Sequence, residues 1–312
     1  MDDTSLSLLE QAQACHDEDP PRAAELLRRL DPAALPAERW PGLAFLLNHV
    51  FGEKLGAWGE VHALFDPLLR AAGEKPPLAL WRQAASAAQL AGDEAAAARL
   101  SEALAAASGA STGQVQETVA LTAAMYCTPV LPAADAAAKL TLALRGLSAP
   151  SWQQASPLDA AIAACANNIA SSLLERPQGE LRQEPLRTTL ADTARLAERF
   201  WLRAGNWVNF ERAAYLRAMV ANALGDAPQA REHALRALAL IDAHDAERAE
   251  QVDRAFIELE HARACRDMNL QDEANRAQDS ADALAAQFDD SALDDWFAKR
   301  RAELGAPPRR VS

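Results

Sequence analysis

The feature that most constrains this chain is a recurring plan: an amphipathic helical stretch, a short polar break that often contains Gly-Asp, and a second amphipathic stretch. The clearest unit runs from about Pro77 to Ser108. Trp81, Ala84, Ala85 and Ala88 stand at i, i+3, i+4 and i+7, one face of a helix. Gly92-Asp93-Glu94 forms the break, and Ala96, Leu100 and Ala103 make the inner stripe of the second helix. A unit from about Asn209 to Ala243 repeats the plan with Ala214, Ala218 and Ala221, then Gly225-Asp226, then Ala230, Ala234 and Ala237. A third, from about Ala249 to Gln287, carries Ala262 and Cys265, a turn at Asn269, and Ala274 and Ala281. Asn stands in for Gly there, since both tolerate the left-handed conformation that ends a helix. Two-helix units of this kind bury their apolar faces only by stacking on one another.

Composition enters at this point. Half the residues are hydrophobic but only 5% are aromatic. Ala dominates, the best helix former and small enough to let helices approach closely. No sustained alternating run rich in Val, Ile, Thr or Tyr marks a strand. The net charge of −13 repels phosphate backbones, so no nucleic-acid partner is expected and basic or neutral partners fit better. Cys15, Cys127, Cys165 and Cys265 lie far apart with no C-x-x-C pair, and are read as small buried residues in a reducing compartment. The start, Met1-Asp2-Asp3-Thr4, is acidic and lacks the design of a secretory signal. No run of about 18 apolar residues occurs, so no membrane span is expected and a cytoplasmic location follows.

These units resemble the tetratricopeptide repeat, a motif of about 34 residues. Trp81 with Ala84, Ala85 and Ala88 matches its first helix, and Ala96, Leu100 and Ala103 its second, with one residue missing at the turn. The unit at 209–243 keeps the Gly-Asp turn and the alanines but has no closing Pro. Ala24 through Asp31-Pro32 resembles a shortened second helix with its Pro, and Val61, Phe65 and Leu68 after Trp58 resemble another that contains Pro67. The resemblance implies an all-α fold: a right-handed α-α solenoid of about six to seven helical hairpins, residues 1–304, with a C-terminal capping helix. Ser291 to Leu304 reads as that cap, with Ser291 at its N-cap and Asp294, Asp295, Lys299, Arg300 and Arg301 on a polar side. The tail at 305–312 reads as disordered. The middle departs most from the motif. Helices near 114–127 and 132–147 pair, and two longer segments, about 157–176 and 185–204, join through Arg176-Pro177-Gln178-Gly179. A hinge is expected around 148–185.

No phosphate loop, zinc-protease motif or nucleophile elbow is present in the sequence. Glu258, His261 and Cys265 have the spacing of one half of a di-iron site, but the second half is missing, so no metal, cofactor or catalytic residue is assigned. Cys15-His16 beside Glu18 reads as a helix end, and His244, between Asp242 and Asp245, as a residue in a solvated loop. Trp201, Trp207 and Phe210 read as core between hairpins.

In tetratricopeptide proteins the first helices line the concave face. Registering the units on the motif implies a groove carrying Arg82, Ser86 and Gln89, then Arg212, Tyr215, Met219 and Asn222, then Arg263 and Arg266. Asn167, in the unusual Asn167-Asn168 pair, joins them as a residue that would bond a ligand's backbone. The family's carboxylate clamp needs lysines that Lys54, Lys75, Lys139 and Lys299 do not supply at the right places. The expectation is a non-enzymatic scaffold that binds an acidic or C-terminal segment of a protein or peptide in this groove. The alternative is a peptide- or ligand-responsive regulator like those bacteria build on this architecture.

Overall fold

A computed structural model of the chain describes residues 3–245 and 250–305. The described residues are helical with short connections and form no strand, so the fold is all-α. Two compact units emerge, Met1–Cys165 and Ala166–Ser312.

The first unit begins with α1 (Asp3–Cys15) and α2 (Pro20–Arg28), which pack together as a hairpin. Helix α3 (Trp40–Leu47) runs without a break into a π-helical segment, Asn48–Lys54, and the pair packs on α4 (Trp58–Ala72). Then come α5 (Leu78–Leu90) with α6 (Glu94–Ser108), and α7 (Thr112–Cys127) with α8 (Ala133–Leu147). Helix α9 (Asp159–Leu174) runs across the boundary between the units. The second unit continues with the short α10 (Gln178–Leu181) and with α11 (Leu186–Ala204). Two hairpins follow, α12 (Trp207–Leu224) with α13 (Ala227–His244) and α14 (Gln251–Asp267) with α15 (Gln271–Ala285), and then α16 (Ser291–Gly305). Within each unit a second helix also touches the first helix of the next hairpin, as in α4 on α5, α6 on α7, α11 on α12 and α13 on α14.

The Gly-Asp break does two jobs in succession. Gly92 and Gly225 take φ of 78° and 80°, the left-handed region where a Cβ is costly, and so end α5 and α12. The aspartates that follow cap the next helices: Asp93 accepts from the Ala96 N–H at 2.9 Å, and Asp226 from the Gln229 N–H at 3.3 Å. Asn269 takes the same backbone role at φ 60°. Ser111 with Gln114, and Asn206 with Asn209, close reciprocal capping boxes at α7 and α12.

The alanine stripes are buried as the periodicity predicts. Ala214, Ala218, Ala234, Ala237, Leu238, Ile241 and Ile257 form one core cluster shared by α12, α13 and α14. In α6 the inner stripe is Ala96, Leu100 and Leu104. Leu104 replaces the expected Ala103, which is only half-buried, because a stripe at i, i+4, i+8 drifts slowly round the helix. At α16 the cap is Asp290, not the expected Ser291: its carboxylate accepts from the Ala292 N–H at 2.8 Å. The expected tail lies, beyond Gly305, outside the described residues, as do Met1, Asp2 and 246–249, including Ala249 at the expected start of the third unit.

Within each unit, polar side chains link neighbouring elements at a recurring distance along the chain. Asn48 donates to the Gln83 carbonyl at 3.1 Å and to its Oε1 at 2.7 Å, 35 residues away. Asn222 does the same to Glu260, 38 residues away, at 3.0 Å and 2.7 Å. Trp152 Nε1 donates to Glu117 over 35 residues, and Arg300 to Glu260 over 40. One hairpin length therefore separates the partners again and again.

Candidate functional site

In the first unit, an open cleft of about 290 Å³ lies between α5, α7 and α8. Its lining joins the small side chains of Ala120, Ala123 and Ala143 to Gln89 and Lys139. Leu142, also in the lining, is 70% exposed, an apolar side chain left in water. Helix α8 places Lys139, Leu142, Ala143 and Gly146 on one side because they recur at i, i+3, i+4 and i+7. A Cβ at Gly146 would stand 2.7 Å from Glu117 Oε1, so Gly there leaves room for the Glu117 side chain between α7 and α8.

Of the residues expected in a groove, Gln89 is exposed and lines this cleft. Arg82 turns to the interior of the same unit, where its Nη1 donates to Thr122 Oγ1 at 3.0 Å and lies 3.4 Å from Cys165 Sγ. Ser86 is buried and donates to the Arg82 and Val119 carbonyls. Asn167 is half-buried in α9.

In the second unit the remaining expected residues share one polar seam along α12, α14 and α16. Arg212 is exposed and pairs with Asp253 at 2.8 Å and Glu250 at 3.3 Å. Tyr215 and Met219 are half-buried, and Tyr215 packs on two core clusters. Asn222 is buried against Glu260. Arg263 donates to the Asn222 carbonyl at 3.1 Å, and Arg266 to the Leu304 carbonyl at 3.0 Å. Burial pushes both guanidinium groups below their ordinary range. The basic side chains thus have internal partners, one of them on α16, and α16 also sends Arg300 onto Glu260, which is 0% exposed.

The seam contains one group that sequence inspection passes over. Glu211 is 0% exposed, and neither carboxyl oxygen accepts a hydrogen bond. Burial, then the negative charge of Asp253, pushes its carboxyl up to about 8, against the opposing pull of Arg212. At pH 7 that shift favours the neutral acid of Glu211 over the carboxylate. Its neighbour Arg212, not Glu211, carries the seam's outward charge. No period or motif marks such a residue, because a Glu at that position reads as a solvated face.

His261, Cys265 and Glu273 converge in the same unit. Arg231 already engages Glu273 at 2.7 Å, His261 Nε2 lies 2.9 Å from the same oxygen, and burial pushes the Cys265 thiol up to about 11. The cluster is closed by an ion pair with a protonated thiol at its centre. His244 ends α13 and stacks on Trp207 with ring centroids 5.6 Å apart.

No known family model matches the chain, and no curated protein matches it in sequence.

Proposed function

We propose that this protein is a binding scaffold: a right-handed solenoid of tetratricopeptide-like hairpins, closed by α16, that holds a segment of a protein or peptide and works in a reducing, cytoplasmic setting. The observation that carries this reading is the α5–α7–α8 cleft, where an alanine floor, exposed Leu142, Lys139 and Gln89 meet. Such a site takes an apolar side chain on its floor, a carboxylate at Lys139 and a backbone amide at Gln89. The recurring hairpin-length links and the contact of each second helix with the next first helix support the repeat architecture.

The binding site in this proposal narrows from the expected groove of Arg82 through Arg266 to the cleft at Gln89, because Arg263 and Arg266 are engaged inside the fold. The test is capture of partners from the source cell by the wild type and by Leu142→Asp with Lys139→Glu. Leu142 is exposed, so the double variant should keep the wild-type Tm and lose the captured segment. Unchanged capture would overturn the assignment of the cleft.

A further inference from the structure

A second constellation, outside the cleft and the polar seam, lies where the end of α1 meets the π-helical segment. His16 and Asp17 follow α1 directly; His49 lies on the π-helical segment with Glu53 and Lys54. Thirty-two residues separate Asp17 from His49, so no local motif announces the group.

The hydrogen bonds decide where the imidazole protons sit. His16 Nδ1 is 2.6 Å from the Gln13 carbonyl, which can only accept, so Nδ1 carries the proton. His49 Nδ1 is 2.8 Å from Glu53 Oε2, and the same argument applies. In the neutral rings both Nε2 lone pairs are therefore left facing Asp17: His16 Nε2 is 3.3 Å from Oδ2, and His49 Nε2 is 3.4 Å from Oδ1. Three potential ligand atoms converge, all within 4.8 Å of one another, and a cation between them would take the place that imidazolium protons fill when the rings are charged. Metal-ligating histidines carry this arrangement, with the far ring nitrogen donating to a carboxylate or carbonyl that fixes the tautomer. The two histidine-to-carboxylate distances, 3.3 and 3.4 Å to different oxygens of Asp17, are of the size such a site needs. Tetrahedral Zn²⁺ with bonds of about 2.0–2.1 Å sets its ligand atoms about 3.3–3.4 Å apart.

The backbone supplies an independent indication. Within Asn48–Lys54 the helix widens to i→i+5 bonding, as in the Leu55 N–H to Val50 carbonyl bond of 3.1 Å. Segments of this kind are rare and concentrate at functional sites. Here that segment carries His49 and Glu53, whose side chains meet at i, i+4, and Lys54, whose Nζ lies 2.9 Å from Asp17 Oδ1. That ammonium occupies the charge position a metal would take. Asp17's side chain is 63% exposed, which leaves an open face for water or a fourth ligand.

We propose that His16, Asp17 and His49 form a site for a borderline divalent cation of the Zn²⁺ class, with Gln13 and Glu53 orienting the two imidazoles and Lys54 competing for Asp17. Two imidazoles and one carboxylate suit Zn²⁺ and leave a coordination position open. The bound ion would clip the α1–α2 turn to the π-helical segment, a role separate from the cleft.

The experiment titrates tag-free, chelator-stripped full-length protein with Zn²⁺ by calorimetry and with Co²⁺ by visible absorption. The wild type should bind one equivalent at this site and show tetrahedral Co²⁺ bands. His16→Gln and His49→Ala should each abolish that event, Glu53→Gln should weaken it by about 10–100-fold, and Lys54→Met should tighten it. His49 stacks on Phe45, so its variant risks misfolding; His16→Gln and Lys54→Met avoid that contact. His261→Ala serves as the control for the other cluster and should leave binding intact. No binding by the wild type, or binding that survives His16→Gln and disappears in His261→Ala, would overturn the proposal.

Discussion

Glu211→Gln isolates the energetic cost of the buried acid in the α12–α14 seam. In the unfolded chain this carboxyl has its ordinary value of 4.5, and in the fold it is pushed up to about 8. Between those values the folded protein holds a proton that the unfolded chain has released. Folding therefore takes up a proton, and the stabilisation, full below pH 4.5, is lost as pH rises through 8. Linkage puts the loss at about 4 kcal/mol between pH 5 and pH 9, with about 1.4 kcal/mol of it above pH 7. Gln has nearly the shape of the protonated acid and carries no charge at any of these pH values. The variant should match the wild type within about 1 kcal/mol at pH 5 and exceed it by several kcal/mol at pH 9. Urea denaturation of both proteins at pH 5, 7 and 9 reads the difference, and other titrating groups cancel in the comparison. A wild-type advantage at every pH, or a difference that does not grow with pH, would refute the account of Glu211 as a buried neutral acid.

Three further outcomes follow from the same structure. Arg300→Ala removes the ion-pair partner of Glu260, which is 0% exposed and keeps only the Asn222 amide, and should cost about 3–5 kcal/mol of stability, read as a fall in Tm. Its partner change, Glu260→Gln with Arg300→Met, should recover much of that loss. Gly225→Ala forces a Cβ into φ 80° and should cost about 1–2 kcal/mol, whereas Asn269→Gly at φ 60° should be close to neutral; denaturant midpoints compare the two.

The hairpins were legible in the sequence because alanine periodicity and the Gly-Asp break each carry a local physical cause: one face to bury, one left-handed residue to stop, one carboxylate to restart. The placement of groove residues was less legible. Register puts Asn222 and Arg263 on first helices, and that is where they lie, but it does not say that a neighbouring hairpin covers them. Asn222 is sealed against Glu260, and Arg263 against the Asn222 carbonyl. Gln89 stayed open because it stands at the cleft between α5, α7 and α8. The convergence of His16 and Asp17 with His49 joins residues 32 positions apart on different elements, for which local spacing gives no signal. Glu211 was hidden for a related reason: a carboxyl is read as solvated until the packing around it is known.

The central claim, that the α5–α7–α8 cleft holds a segment of another protein, is tested most directly by a benzophenone amino acid placed at position 142. The control is the same group at position 130, where Val130 is 65% exposed and outside the cleft lining. Irradiation in the source cell should give, from position 142 alone, a defined adduct whose peptide maps to one segment of one partner and disappears with Lys139→Glu. No adduct at 142, or the same adducts from both positions, would contradict it.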